Sequence, residues 1–211
     1  AGMTLTAFLD ETASESPAPG GGSVAAYIGA LGAALGAMVA NLSAHKRGWD
    51  LRWETYSDWA VRGQRHKAAL LRLVDEDTRA FDDLMKAYRL PAGTPEEQAA
   101  RDESVQAATK AAIEVPLQVM REALASMAVA RAMAESGMAS SASDAGVAAL
   151  AALAAVRGAH LNVRINLGGV TDDVYRHRVS EEAQRLEEEA RQMEADALKL
   201  VEASLAGSAE T

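Results

Sequence analysis

From Gly20 to Ala44 the chain carries no charged residue, and most of its side chains are Ala or Gly. A segment of that kind cannot make a solvated surface helix, because it has no polar face to offer water. It can be buried on nearly every side and can let other backbones come close. Its large apolar residues are few (Val24, Ile28, Leu31, Leu35, Met38, Val39, Leu42), and Ala and Gly add little hydropathy, so a membrane span is the poorer reading. The small-residue spacing Gly29, Gly32, Gly36 suits close helix packing. The segment reads as the buried central helix, Val24 to Ser43, of an all-α bundle.

The rest of the chain supplies partners for that helix. Leu5, Phe8, Leu9 and Thr12 repeat with helical spacing, so residues 4–13 form a short amphipathic helix. Ser14 to Gly22 is a Pro/Gly/Ser loop, with Ser23 as the expected cap. His45-Lys46-Arg47-Gly48 supplies the stop signals. A second helical pattern covers Asp50 to Tyr88. Thr94-Pro95-Glu96-Glu97 has the form of a capping box and opens a helix running toward Glu135, with a kink or break expected just before Pro116. Gly137 to Ser143 is a loop, and Ser143 is the expected cap of a helix reaching about Leu167. After Gly168-Gly169, Thr171 is expected to cap a last helix reaching about Leu205. About six helices and no strand predict a single-domain bundle over residues 1–211.

Composition narrows the function classes. The net charge of −9 leaves no basic footprint for nucleic acid. Cysteine is absent, which excludes thiol chemistry and favours a cytoplasmic setting. His45, His66, His160 and His177 show no paired ligand spacing, so no metal site is expected. Gly20-Gly21-Gly22-Ser23-Val24-Ala25 formally fits G-x-G-x-x-A, but residues 15–19 cannot be the strand that such a dinucleotide site needs. The glycine run is therefore either a permissive turn or a cradle of backbone amides for a polar ligand.

Two further features break the apolar patterning. Asp77 falls on the stripe formed by Leu70, Val74, Phe81, Leu84 and Tyr88, where a carboxylate is costly unless it is paired or used. Asn162 and Asn166, one helical turn apart, end a stripe of small residues that starts at Ala148.

Taken together, these motifs resemble a known family. Ser16-Pro17-Ala18-Pro19-Gly20-Gly21-Gly22-Ser23-Val24-Ala25-Ala26 is similar to the opening of the formiminotransferase-cyclodeaminase C-terminal domain, a family that also holds stand-alone methenyltetrahydrofolate cyclohydrolases. The likeness continues through Gly29 to Leu35, Val74-Asp75-x-Asp77, Leu90-Pro91, Val115-Pro116-Leu117, Ser143 to Ala148 and Asn162-Val163-x-Ile165-Asn166-Leu167. The resemblance implies a helical, homodimeric folate enzyme that uses no metal and no cofactor beyond its tetrahydrofolate substrate. Its reaction would be closure of 5-formiminotetrahydrofolate to the 5,10-methenyl compound with loss of ammonia, or hydrolysis of that compound to 10-formyltetrahydrofolate.

Within that resemblance the residues take expected roles. Asp77 is the candidate proton carrier, with Asp144 second. Gly20, Gly21, Gly22 and Ser23 would hold a polar edge of the folate. Asn41, Asn162 and Asn166 would serve the pterin, and Lys46 and Arg47 the glutamate carboxylates. One segment departs from the family pattern. Ala44-His45-Lys46-Arg47-Gly48-Trp49 stands where relatives have a Gly, a basic run and an aromatic, and Trp53, Tyr56 and Trp59 follow it. That change leaves open a different substrate on the same scaffold, or a helical assembly protein without catalysis. Convergence of the polar residues beside the glycine loop would favour an enzyme.

Overall fold

The computed structural model describes residues 2–208, omitting the side chains of Asp50 and Ser208. Among the described residues there are six α-helices and no strand: α1 (Leu5–Thr12), α2 (Gly21–Ala44), α3 (Trp53–Tyr88), α4 (Pro95–Ser136), α5 (Ala142–Leu167) and α6 (Asp173–Ser208). Short 3-10 turns, Asp50–Arg52 and Ala139–Ser141, lead into α3 and α5.

The charge-free segment is the hub. α2 packs against α3, α5 and α4, and α6 closes the bundle over α4 and α5. Val39 is the one large side chain among the buried residues of α2; the others are Ala, Gly and Ser. Burying an Ala methyl is worth far less than the roughly 1.5–3 kcal/mol of a Leu or Met side chain. The hydrophobic weight therefore comes from the partners, above all Ile113, Leu117, Met120, Met127 and Met133 of α4. What α2 contributes is close approach. A Cβ added at Gly32 would stand 2.9 Å from the Ala148 carbonyl oxygen, so α5 can lie this near only because position 32 has no side chain. Contacts of Gly21 with Asn162, Gly29 with Ala155 and Gly32 with Ala151 show that α2 and α5 run antiparallel.

By length and composition Gly21–Ala44 and Ala139–Leu167 could each cross a membrane, yet 61% and 50% of their most apolar windows are buried inside the bundle. Their small residues serve helix contact.

Four expected boundaries change. α2 begins at Gly21 with Gly20 as its cap residue, so Ser23 lies inside the first turn and not at the cap. α4 runs for 42 residues with Pro116 inside it, so of the expected kink or break the break does not occur. α5 starts at Ala142 after Ser141, which leaves Ser143 in its first turn. At α6 the cap is Asp172, whose Oδ1 accepts from the Tyr175 amide at 3.0 Å, while Thr171 turns to Gln106. The capping box at Thr94 and Glu97 is present as expected.

The unusual aromatic segment anchors the far end of α2. Trp49 stacks on Tyr56 at 5.5 Å, the Tyr56 hydroxyl donates to the Ser136 carbonyl, and Trp59 packs on a cluster with Val39, Val129 and Met133. Lys46 lies over the Trp49 ring at 4.2 Å. These residues are part of the packing, so this departure from the family pattern has a structural explanation.

Candidate functional site

The start of α2, the last third of α3 and the end of α5 meet at one end of the bundle around a cavity of about 240 Å³. The loop supplies Pro17, Ala18 and Gly20, and α2 supplies Gly21 and Gly22. Asp77, Ala80, Phe81 and Leu84 of α3 form one wall. Ala112 of α4 and Asn162 and Asn166 of α5 complete it. Asp77 is the one titratable side chain among these lining residues.

Asp77 reaches this position because Gly22 has no side chain. A Cβ built there would sit 2.1 Å from Asp77 Oδ1. Asp77 Oδ2 accepts the Ser23 hydroxyl at 2.8 Å, and the Ser23 backbone amide also donates to the carboxylate. Burial pushes the acid above the ordinary carboxylate range, and the two Ser23 hydrogen bonds offset only part of that. No cation shares the cavity wall. A half-buried acid without a fixed counter-charge can exist in either protonation state, as a group that both removes and returns a proton must.

The two asparagines are held by backbone carbonyls. Asn162 Nδ2 donates to Gly158 O at 2.9 Å on its own helix, and Asn166 Nδ2 donates to Ala112 O at 3.0 Å on α4. The second bond explains the unbroken α4. Proline has no N–H, so Pro116 cannot bond to the carbonyl four residues earlier, which is that of Ala112. Asn166 fills the vacancy and so ties the cavity to the proline. The side-chain carbonyl oxygens of both asparagines accept no hydrogen bond from the described residues and are available to a ligand.

Four expected site residues lie elsewhere in the chain. Asn41 is about 28 Å along α2 from Gly22, and Asp144 about 27 Å along α5 from Asn162. Because the helices are antiparallel, both stand at the opposite end of the bundle. Lys46 and Arg47 line a separate cavity there with His45 and Trp53. Ser23 is fully buried and lies behind Asp77, not on the cavity wall. The contribution of α4 through Ala112 was not foreseen, although the spacing from Ala112 to Pro116 marks a freed carbonyl. A larger, mainly apolar cavity of about 730 Å³, with Phe8, Tyr27, Leu71 and Val74, adjoins the site across Ala18.

Residues 4–185 match the family model for formiminotransferase-cyclodeaminase. The chain belongs to the formiminotransferase-cyclodeaminase family. It is 38% identical over 185 residues to a formimidoyltransferase-cyclodeaminase of Rattus norvegicus, covering 86% of this chain and 34% of that protein. It is 37% identical over 183 residues to a methenyltetrahydrofolate cyclohydrolase of Methylorubrum extorquens, covering 87% of this chain and 88% of that one. The chain thus spans about a third of the length of the first relative and most of the second. A crystal structure of formiminotetrahydrofolate cyclodeaminase from Thermotoga maritima superposes with a TM-score of 0.85 at 29% identity, covering 96% of this chain and 98% of that one. The relatives of this chain thus include proteins named as a cyclodeaminase and as a cyclohydrolase, and the solved cyclodeaminase shares its helical fold.

Proposed function

We propose that the chain is a folate one-carbon enzyme acting on the bridge between N5 and N10 of tetrahydrofolate, as a formimidoyltetrahydrofolate cyclodeaminase or a methenyltetrahydrofolate cyclohydrolase. The observation that carries this reading is the meeting of Asp77, Asn162, Asn166 and the glycine turn around one cavity, in a chain related to enzymes of both names.

In the cyclodeaminase direction N10 adds to the formimino carbon and gives a tetrahedral carbon bonded to N5, N10 and the amino group. Asp77 takes the N10 proton and returns it to the amino nitrogen, which leaves as ammonia. In the cyclohydrolase direction water adds to the methenyl carbon, Asp77 takes one of its protons and delivers it to N5 as the N5–C bond breaks, and the remaining hydroxyl proton is released to solvent as the formyl carbonyl forms. The methenyl compound is a cation, so the ionised Asp77 carboxylate stabilises it and the states leading to it. The glycine amides and the asparagine carbonyl oxygens orient the pterin edge. A cavity of about 240 Å³ is smaller than typical sites for whole drug-sized ligands. It takes the reacting end of the folate, and the aminobenzoyl portion extends past Ala18 toward the larger apolar cavity.

The same proposal includes a cytoplasmic homodimer that needs no metal or other cofactor. Exposed apolar side chains on neighbouring helices support self-association: Leu31, Met38 and Leu42 of α2, and Val147, Leu150 and Leu161 of α5. The deciding experiment follows the near-ultraviolet absorbance of the methenyl compound. Its appearance from the formimino compound indicates the cyclodeaminase, and its loss by hydrolysis beyond the uncatalysed rate indicates the cyclohydrolase. Either rate should be unchanged by a metal chelator. No change in absorbance with either folate would overturn the reading.

A further inference from the structure

We propose that the Ser23 hydroxyl is a positioning residue for Asp77, pinning the carboxylate against the glycine turn and changing hydrogen-bond partner as the carboxylate gains or loses its proton. The inference rests on the reading of Asp77 as the proton carrier. Ser23 is fully buried and absent from the cavity wall, so a folate in the cavity does not touch it. Its hydroxyl proton has two oxygen acceptors on α3, Asp77 Oδ2 at 2.8 Å and Val74 O at 3.1 Å. Thr78 Oγ1 stands 3.3 Å away and can donate or accept.

That set of neighbours serves both protonation states. With Asp77 ionised, the Ser23 proton goes to Oδ2 as a charge-assisted hydrogen bond. With Asp77 protonated, the acid donates to Ser23 Oγ, and the Ser23 proton turns to the Val74 carbonyl. Neither state leaves a buried polar atom unpaired, an arrangement that would otherwise be costly. Among the described residues that line the cavity with Asp77, none can follow its proton in this way. α2 presents Gly22 and Ser23, α4 presents Ala112, and α5 presents Asn162 and Asn166, none of which titrates. The charged residues next to Asp77 in sequence, Asp75, Glu76 and Arg79, are on α3 itself.

The test is a carbon-13 titration of the Asp77 carboxyl in ligand-free protein, read alongside the pH dependence of kcat and KM. Ser23→Ala takes a hydrogen bond from both forms, but the charge-assisted bond to the ionised form is roughly twice as strong as the neutral one, so Asp77 should titrate at higher pH. The ratio of ionised to protonated Asp77 at a fixed pH should fall about fivefold, the difference expected between the two bonds. The limb of the pH–rate profile set by Asp77 should move the same way, with KM within about twofold of its original value. An unmoved or downward-shifted titration would overturn the proposal, as would a large rise in KM without a titration shift. Because the titration needs no substrate, it remains decisive even if neither folate reacts. Conversely, folate turnover with an unmoved titration would refute the role of Ser23 and leave the enzyme reading standing.

Discussion

Gly22→Ala offers a sharp test of the site, because the structure fixes what must move. The new Cβ would lie 2.1 Å from Asp77 Oδ1, 2.6 Å from Cγ and 2.8 Å from Oδ2, whereas ordinary contact begins near 3.4 Å. The carboxylate must therefore retreat by about 1.3 Å. It is the end of a flexible side chain, so rotation of Asp77 relieves the clash more cheaply than a shift of α2. Misplacing a reacting group by about 1 Å costs on the order of a hundredfold in rate, or about 2.7 kcal/mol of transition-state stabilisation. Stability should hardly change. The lost Ser23 bond is offset by the roughly 0.5–1 kcal/mol that Ala gains over Gly in a helix. Expected, then, is a kcat lowered about a hundredfold in the methenyl absorbance assay, with a urea midpoint close to that of the unaltered protein. A kcat within threefold of the original would refute the claim that the reaction depends on where Gly22 lets Asp77 sit. A collapsed urea midpoint would refute it too, since α2 and not the carboxylate would then have moved.

Other consequences can be measured. Asp77→Asn should abolish turnover by at least about a hundredfold, in line with loss of a general acid–base group, while the protein stays folded by circular dichroism. Its stability should depend on pH in a defined sense. Burial raises the Asp77 acid in the folded state, so folding is opposed at neutral pH, and the opposition fades as pH falls through the raised titration range toward the ordinary value. In urea titrations Asp77→Asn should therefore equal or exceed the parent in stability at pH 7 and lose that advantage in acid. Pro116→Ala restores an N–H that competes for the Ala112 carbonyl. It should raise thermal stability and raise KM, as Asn166 loses its exclusive partner. Leu150→Arg, on the exposed face of α5, should shift sedimentation toward a single chain at micromolar concentration.

How far these features could be read from the sequence depended on the range of the interaction behind each. The bundle was legible because the absence of charge from Gly20 to Ala44 is a bulk property, and the Thr94 capping box closes within a single turn. Asp77 was found by periodicity alone, since an acid on an apolar stripe stands out. Ser23 and Pro116 were misread for one shared reason. Each looks like a local signal, a cap and a breaker, but each is answered by a residue about fifty positions away, Asp77 for the first and Asn166 through Ala112 for the second. Asn41 and Asp144 were grouped with the site by motif. The antiparallel course of α2 and α5 places both at the other end, and no local pattern encodes that direction.

The bond from Asn166 to Ala112 also bears on a weakness of cores built from alanine. On the α5 side the seam is nearly all small side chains and looks much the same after a slide of one turn, so α5 itself offers the large side chains of α4 little to distinguish such offsets. A single polar pair removes the degeneracy, as one buried asparagine does in a coiled coil. Here the Ala112 carbonyl that Pro116 has released accepts the Asn166 side-chain amide, and a slip of one turn would strand both. The proline thus acts as a registration mark: it helps set the alignment of the large-residue helix α4 against the alanine-lined α5 at the level where the pocket is assembled.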